Sequence, residues 1–273
     1  MLLLTGVTGK TGGEVANQLA AAGTPFRALI RNPDKADKVR KLGGEVVIGD
    51  ISDAAALSTA FDGVSRALLI MPNEENQLVL ERQFTDAAVS AGVKHLVYLS
   101  SLESVPESTN PITRNHVAAE AWIRNSGMAW TMIRPTFFMQ MFAGMAASIA
   151  NKHQIVMPCG QGTVATTDLR DVGAVIVKVM TETGHEYQSY DLTGPELLTM
   201  GQIAERFSEV LGTRIEYIDQ SPEEFRARLQ KVGLSDWRVE AVCLEFDAIA
   251  RGAIDHTTGV IERLLGRPPT SLT

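Results

Sequence analysis

Short apolar runs alternate with amphipathic stretches through the first half of the chain. The apolar runs are typical of buried strands, and they lie at residues 2–5, 26–30, 45–48, 66–70, 96–100 and 130–134. Stretches with helical spacing separate them, at residues 12–22, 33–42, 54–61, 76–91 and 114–125. Strands that alternate with helices predict a parallel sheet covered on both faces. Because parallel crossovers are right-handed, we expect an α/β, doubly wound parallel-sheet Rossmann fold.

The alternation changes after Pro135. A helix rich in Phe, Met and Ala is predicted over residues 137–150. Further strands and helices follow, with strands at 155–157, 164–167, 188–192 and 215–218 and helices at 169–181, 200–211, 222–232, 235–250 and 258–265. We therefore expect residues 1–135 to form a Rossmann domain with sheet contributions from later segments. Residues 136–273 should form mostly a smaller C-terminal α/β substrate lobe.

Composition narrows the class of protein. The chain has 273 residues, 45% hydrophobic and 21% charged, which is typical of a globular protein. The net charge of −7 and the lack of a basic run argue against nucleic-acid binding. No apolar stretch reaches the roughly 18 residues of a membrane span, so no membrane role is expected. Two cysteines, Cys159 and Cys243, predict neither a disulfide framework nor a metal site and fit a reducing cytoplasm.

The segment LTGVTGKTG at residues 4–12 joins the first predicted strand to the first helix. Gly6 permits a tight turn, Gly9 lets backbone amides approach a pyrophosphate, and Gly12 lets helix and strand pack closely. We expect the loop to contact the cofactor through Gly6, Thr8, Gly9, Lys10, Thr11 and Gly12. The alternative is an ordinary glycine-rich turn. The spacing differs from the Walker pattern, which argues against a kinase or an ATPase.

The residues after the second strand bear on the choice of coenzyme. NAD-binding proteins carry an acidic residue there, which binds the ribose 2′-hydroxyl. This chain has Arg31, followed by Lys35, and an arginine can bind a 2′-phosphate. We therefore expect NADP(H) to be preferred over NAD(H), unless both side chains only form a solvated helix start. Asp50 and Ile51 follow the third strand and are expected to contact the cofactor. Asp50 could bind the adenine edge or cap the next turn.

The chain resembles the NmrA-like family, atypical members of the short-chain dehydrogenase/reductase superfamily. The resemblance rests on TGVTGKTG at 5–12, RNPDK at 31–35 and the Gly49-Asp50 step. It continues through HVAAE at 116–120, Ser126-Gly127, IRP at 133–135 and LGRPPTS at 265–271. It implies a Rossmann domain holding NAD(P) and a smaller C-terminal lobe. The family includes NADPH-dependent quinone, triphenylmethane-dye and azo reductases, and regulators that bind the dinucleotide without turnover.

The usual catalytic pair of short-chain dehydrogenases, Tyr-x-x-x-Lys, is not present. Where it is expected, Ile112 stands at the tyrosine position and His116 at the lysine position. Alcohol oxidation by the usual mechanism is therefore not expected. His116 and Glu120 share a helix face, and His116 could bind the nicotinamide ribose, supply a proton, or be structural. His116 is our candidate catalytic residue.

Other candidates lie at the ends of later strands and in the apolar run. Met71 and Pro72 follow the fourth strand and Ser100 ends the fifth, where ligands bind in such sheets. Phe137, Phe138 and Met141 could line an apolar slot for a flat substrate, or could be packed in a core. The same run could serve a subunit interface, which leaves a homodimer open.

These features predict an NADPH-dependent oxidoreductase that reduces a quinone or similar aromatic acceptor by hydride transfer. Such an acceptor takes hydride readily, so orientation against the nicotinamide can supply most of the rate. The alternative is an NADP(H)-sensing regulator of the NmrA type, which the absent tyrosine–lysine pair leaves open. A non-redox isomerase or lyase is a third hypothesis, which the absent tyrosine disfavours.

Overall fold

The computed structural model describes residues 1–272 of the chain. These residues contain eleven strands and eleven α-helices. The strands are β1 (Leu2–Leu4), β2 (Phe26–Ile30), β3 (Glu45–Ile48), β4 (Arg66–Leu69), β5 (His95–Leu99), β6 (Ala129–Pro135), β7 (Gln154–Met157), β8 (Thr163–Val164), β9 (Gln188–Leu192), β10 (Leu198–Thr199) and β11 (Glu216–Asp219). The helices are α1 (Lys10–Ala21), α2 (Ala36–Lys41), α3 (Ala54–Phe61), α4 (Gln77–Ser90), α5 (Pro111–Arg124), α6 (Ala146–Lys152), α7 (Leu169–Thr181), α8 (Met200–Leu211), α9 (Pro222–Lys231), α10 (Asp236–Ala250) and α11 (Val260–Leu265).

A seven-stranded sheet in the order β3-β2-β1-β4-β5-β6-β9 organises the first of two structural units. This unit comprises residues 1–104, 115–134 and 169–190. The pairs among β1 to β6 are all parallel, and Leu4 lies opposite both Ala28 and Leu68. The order 3-2-1-4-5-6 is that of a Rossmann sheet. The predicted fold class is confirmed.

Apolar side chains from the sheet and from α3, α4 and α5 form the main core of this unit. The rings of Phe61 and Phe84 lie 4.9 Å apart between α3 and α4. Each fully buried Leu or Phe stabilises the fold by about 1.5–3 kcal/mol. Helices α1 and α7 pack against each other at Gly173, where a Cβ would lie 2.9 Å from Glu14 Cγ. Both faces of the sheet are therefore covered by helices.

The second unit comprises residues 105–114, 135–168 and the chain from 191 onward. It contains two small sheets, in which β7 pairs with β11 in parallel and β8 pairs with β10 antiparallel. A capping box of Thr199 and Gln202 begins α8, and Gly212 ends it in the left-handed conformation. Helix α9 begins with a second capping box, formed by Ser221 and Glu224. These local signals fix the helix ends of the unit.

The predicted helix over residues 137–150 is wrong in its first half. Residues Met139–Met145 form a 3₁₀ helix, and the α-helix starts only at Ala146. Thr167 explains the difference, because its backbone pairs with the segment on both sides of Phe138. The amide of Thr167 donates to Phe137 O at 2.9 Å, and its carbonyl accepts from Met139 N at 3.0 Å. This extended pairing prevents an α-helix from starting at residue 137.

Candidate active site

The carboxyl ends of β1 to β5 bring the predicted cofactor residues to one edge of the first unit's sheet. Because these strands are parallel, the residues that follow them lie at the same edge. Gly6, Arg31, Asp50, Met71 and Ser100 each follow a different strand of this set. The sheet thus gathers residues that lie far apart in the sequence. Met71 is half-buried there, and the neighbouring Pro72 is exposed.

The glycine loop has the backbone geometry that a phosphate cradle needs. Gly6 has a φ of 67°, in the left-handed region, and a Cβ on it would lie 2.9 Å from Ile70 Cβ. A Cβ on Gly12 would lie 2.4 Å from Gly6 O, so only glycine lets α1 approach β1 this closely. Gly9 is exposed, and a Cβ there would meet a single neighbour, Gly6 O at 3.3 Å.

Helix α1 begins at this loop without a side-chain cap. Its N-cap is Gly9, which has no side chain to bind the first amides, and its first turn carries no acidic residue. Thr8 and Lys10 are exposed and Thr11 is half-buried. The positive end of a helix without a side-chain cap is a favourable site for a phosphate group. The residues of this loop therefore fit the pyrophosphate of a dinucleotide.

Arg31 lies in solvent beside Asp50. Its side chain is 67% exposed, and its Nε lies 3.8 Å from Asp50 Oδ2. Asp50 also accepts hydrogen bonds from the amide and hydroxyl of Ser52, at 2.9 and 2.7 Å, and these lower its pKa. Of the two roles considered for Asp50, the turn cap is the contact that the structure contains. Lys35 is exposed at the end of a single 3₁₀ turn, and Ile51 is buried in the core.

A buried carboxylate, Glu120, ties α5 to the ends of β5 and β6. It accepts hydrogen bonds from Ser100 Oγ and Arg134 Nε, both at 2.7 Å, and forms an ion pair with Arg124 at 3.3 Å. A second guanidinium nitrogen of Arg134 also binds it. Burial alone would raise the pKa of Glu120, but the hydrogen bonds from Arg134 and Ser100 bring it below the ordinary value. Glu120 therefore holds Ser100 in place as a fixed anion.

His116 lies one helical turn before Glu120 and is only 6% exposed. Its Nδ1 lies 2.6 Å from the hydroxyl oxygen of Tyr98 on β5. Burial lowers the pKa of His116 to about 4, although the negative charge of Glu120 acts to raise it. The imidazole is therefore neutral at physiological pH. Ile112, which stands at the tyrosine position of the usual pair, is a buried apolar residue and supplies no proton.

Glu81 on α4 extends this network and was not anticipated from the sequence. Its Oε1 lies 2.9 Å from the Tyr98 hydroxyl and accepts a hydrogen bond from Gln77 Nε2, also at 2.9 Å. Burial raises the pKa of Glu81 to about 7, although both hydrogen bonds act in the opposite direction. The available signal was an acidic residue three positions before Phe84 and seven before Ala88, which places it on the buried face of α4.

The family comparison fits this arrangement. The model of the NmrA-like family matches residues 1–265. The chain belongs to the NmrA-like family. The resemblance inferred from the sequence motifs is confirmed.

Individual relatives of this NmrA-like chain span almost its whole length. It is 32% identical to an NAD(P)H azoreductase of Xenophilus azovorans over 98% of this chain and 94% of that protein. It is 36% identical to a (4-alkanoyl-5-oxo-2,5-dihydrofuran-3-yl)methyl phosphate reductase of Streptomyces griseus, over 98% of this chain and 94% of that protein. Its fold matches an NADPH-dependent quinone oxidoreductase of Escherichia coli, solved with NADPH, with a TM-score of 0.90 and 29% identity over 100% of this chain and 97% of that one.

The aromatic residues predicted to bind substrate belong to the second unit of the NmrA-like chain. Phe137 is buried, and its ring packs 5.8 Å from Phe142 and 5.9 Å from Phe246. Phe138 is half-buried, and Met141 is 49% exposed. Phe137 thus contributes to the packing of the unit, whereas Met141 presents apolar surface.

Other site types find no support in the part of the NmrA-like chain that the structure describes. Over residues 1–272, no group of three or more His, Cys, Asp or Glu side chains could hold a metal ion. None of the helices within the same residues is long and apolar enough to cross a membrane. A groove of about 910 Å³ opens where β2 and β3 begin, lined by Arg27 and Glu45 among others, and it contains none of the predicted site residues.

Proposed function

We propose that the chain is an NADPH-dependent oxidoreductase that reduces a quinone or similar aromatic acceptor by hydride transfer. The observation that carries the proposal is the uncapped start of α1 above a loop in which Gly6 and Gly12 have no room for a side chain. This loop belongs to an NmrA-like chain whose relatives include an NAD(P)H azoreductase and an NADPH-dependent quinone oxidoreductase. Bound NADPH would supply the hydride.

The preference for NADP(H) over NAD(H) rests on Arg31 and Lys35. Arg31 follows β2, where an acidic residue would favour NAD, and its guanidinium is exposed enough to bind a phosphate. Asp50 lies 3.8 Å from Arg31 Nε and would orient the guanidinium. We propose that Arg31 binds the 2′-phosphate and that Lys35 adds a second positive charge.

The chain's own residues orient the reaction and supply a proton. We propose that the amides of the loop 8–12 bind the pyrophosphate and that Met71, Pro72 and Ser100 border the nicotinamide half. His116 would bind the ribose or donate a proton to the reduced acceptor. An electron-poor acceptor takes hydride without a tyrosine to protonate it, whereas an alcohol must lose its proton to a base. The absence of the tyrosine is therefore compatible with this reaction and not with alcohol oxidation.

The proposed contacts of the acceptor are apolar. We propose that Phe138 and Met141 present apolar surface to a flat substrate and that Phe137 supports them from the packed aromatic cluster. The cytoplasm is the expected compartment, because the two-cysteine composition fits a reducing environment. A homodimer stays a prediction.

The test is a paired measurement of cofactor binding and turnover. Purified protein is titrated with NADPH and NADH, and the absorbance of the reduced nicotinamide is then followed with a panel of quinones, azo dyes and carbonyl compounds. We expect tight NADPH binding, turnover with quinones or dyes, and little oxidation of secondary alcohols with NADP⁺. Tight binding without turnover on any acceptor would contradict the proposal and favour the regulator.

A further inference from the structure

The buried side chains of Glu81, Tyr98 and His116 form a hydrogen-bonded network whose hydrogens can be counted. The Tyr98 hydroxyl oxygen lies 2.9 Å from Glu81 Oε1 and 2.6 Å from His116 Nδ1. Two hydrogen bonds need two hydrogens, and a phenol carries one. The second hydrogen must come either from a protonated Glu81 or from a hydrogen on His116 Nδ1. The network therefore has two proton arrangements.

In the first arrangement, Glu81 is protonated and donates to Tyr98, and Tyr98 donates to His116 Nδ1. The imidazole then carries its hydrogen on Nε2. In the second arrangement, Glu81 is ionised, Tyr98 donates to Glu81, and His116 Nδ1 donates to Tyr98. The imidazole then has a bare Nε2. The two arrangements differ by one proton, which enters or leaves at Nε2.

We propose that Glu81 and Tyr98 are positioning residues that hold His116 as its Nε2–H tautomer and refill Nδ1 when Nε2 gives a proton to the reduced acceptor. In this step the His116 Nε2–H bond breaks as the acceptor gains its hydrogen. The Tyr98 hydroxyl hydrogen moves to His116 Nδ1, the Glu81 carboxyl hydrogen moves to Tyr98, and Glu81 is left as the carboxylate. The two electrons of the reduction are those of the hydride in the proposed function, on which this inference rests.

Refilling at Nδ1 is what lets a buried neutral histidine act as an acid. Burial lowers the pKa of His116 to about 4, so the ring holds no spare proton at neutral pH. A neutral imidazole that gave up its Nε2 proton alone would become an imidazolate. An imidazolate is a much stronger base than the reduced acceptor, so this transfer would be unfavourable. With the relay, the ring stays neutral throughout and the negative charge forms on Glu81.

The surroundings of Glu81 suit both of its charge states. Its Oε2 is buried and has no hydrogen-bond partner among the described residues, which favours the protonated form. Its Oε1 accepts from Gln77, which stabilises the anion. Burial, opposed by the Gln77 and Tyr98 hydrogen bonds, places the pKa of Glu81 at about 7, so both forms are populated near neutral pH.

The other charged group beside the relay is Glu120. It acts electrostatically on both Tyr98 and His116, and it is itself held by Arg134 and Arg124. Because those two guanidinium groups keep Glu120 ionised, it does not titrate near neutral pH. The outer nitrogen of His116, Nε2, makes no hydrogen bond to a described residue. The relay therefore ends at a ring nitrogen that no described side chain occupies.

The first test observes the tautomer directly and needs no turnover. Histidine nitrogen resonances are recorded on the ¹⁵N-labelled full chain from about pH 5 to 8. This range spans the pH at which Glu81 is expected to ionise. We expect the Nε2–H tautomer of His116 at the acid end and a shift toward Nδ1–H as Glu81 ionises. In Tyr98→Phe this coupling should be lost. A tautomer that stays the same across the range in the wild type, or that titrates equally in Tyr98→Phe, would overturn the proposal.

A second tyrosine–histidine pair in the same unit provides the matched control. The Tyr190 hydroxyl lies 2.9 Å from His185 Nδ1, and neither residue belongs to the relay. Tyr190→Phe should change the His185 resonances and leave those of His116 and the reaction rate as in the wild type. This control separates loss of a phenol hydroxyl in general from loss of the relay.

The second test measures the rate. A positioned proton donor typically contributes about 10²- to 10⁴-fold, and water replaces part of it, so Tyr98→Phe and Glu81→Gln should each lower kcat by roughly 10- to 100-fold. The double variant should be no slower than the slower single variant, because both substitutions interrupt the same proton relay. If the wild type turns over and both variants match it, the relay is wrong. If the wild type binds NADPH but never turns over, the proposed function fails, and the tautomer measurement still decides the proton arrangement.

Discussion

A single methyl group placed at two positions of the glycine loop should separate folding from cofactor binding. At Gly12 the added Cβ would lie 2.4 Å from Gly6 O, 2.5 Å from Gly6 C and 2.8 Å from Val7 N. All three atoms belong to the backbone and cannot rotate away. At Gly9 the added Cβ would meet only Gly6 O, at 3.3 Å, and the residue has an extended φ and ψ that alanine accepts. Gly12→Ala should therefore affect the fold, and Gly9→Ala should affect the ligand site.

The expected magnitudes follow from these distances. Carbon atoms pack without strain at about 3.5–4.0 Å, so the Gly12 methyl overlaps its neighbours by roughly 1 Å. Overpacking of this kind costs about 1–3 kcal/mol, of which alanine's better helix propensity recovers up to about 1 kcal/mol. Gly9→Ala should change the free energy of unfolding by less than about 1 kcal/mol, as expected for glycine and alanine at an N-cap. Its affinity for NADPH should fall about 10- to 100-fold, because each charge-assisted hydrogen bond to the pyrophosphate is worth about 1.5–3 kcal/mol.

The assay combines denaturant unfolding without cofactor and calorimetric titration with NADPH. Gly9→Val, with a branched side chain at the same point, should abolish the binding of both NADPH and NADH. As a control, Gly144→Ala adds a methyl group where a Cβ would have no neighbour within 4 Å, and it should leave NADPH binding unchanged. If Gly9→Val unfolds like the wild type and binds NADPH as before, the cofactor loop is wrongly assigned.

Three further changes test individual charges. Arg31→Asp should weaken NADPH binding about 10- to 100-fold and leave NADH binding nearly unchanged, as measured by titration with both coenzymes; an equal loss for both would mean that Arg31 is structural. Glu120→Gln should destabilise the fold by about 2–4 kcal/mol, because it leaves the Arg134 charge with a neutral partner in a half-buried position. Since the pKa of Glu120 is lowered in the fold, its stabilisation is present at neutral pH and is lost as the pH falls through that lowered value, and unfolding curves of the variant should lack this acid-side slope. The pH dependence of stability due to Glu81 has the opposite sign. Burial raises the pKa of Glu81 from 4.5 to about 7, so folding becomes less favourable as the pH rises between these values. Glu81→Gln should therefore be more stable than the wild type at about pH 8, by a margin that disappears toward about pH 4.

The geometry of the glycine loop was predictable because its signal is local. Gly6, Gly9 and Gly12 lie within seven residues between a strand and a helix, and the fold leaves no room for a side chain at Gly6 and Gly12. The central sheet was predictable for a related reason. Each strand is a short apolar run, and parallel crossovers allow few alternative orders.

The proton network could not be predicted, because it depends on side chains that only the packed fold brings together. Tyr98 meets Glu81 across 17 residues and His116 across 18, on three different elements. From the sequence, Glu120 was placed only on the same helix face as His116, without a role. In the structure its carboxylate binds Arg134 and Ser100, because a buried carboxylate needs donors and an opposite charge.

The helix predicted over residues 137–150 failed for a similar reason. The composition of the run favours a helix, whereas its start is fixed by backbone hydrogen bonds to Thr167, which lies about 30 residues away. Tertiary pairing of this kind overrides local propensity. The aromatic residues of the run illustrate the same limit, since the packing of Phe137 against Phe246 joins segments that are far apart in the sequence.

We conclude that this chain transfers a hydride from NADPH to a quinone-type acceptor. A single-turnover reaction with NADPH carrying deuterium at the transferred position of the nicotinamide tests it most directly. We predict that a small quinone is reduced in a one-to-one ratio with NADPH, that the rate falls when the transferred hydrogen is deuterium, and that Arg31→Asp slows the reaction at limiting NADPH. A protein that binds NADPH tightly, yet leaves it reduced with every quinone and dye tested, would contradict the account.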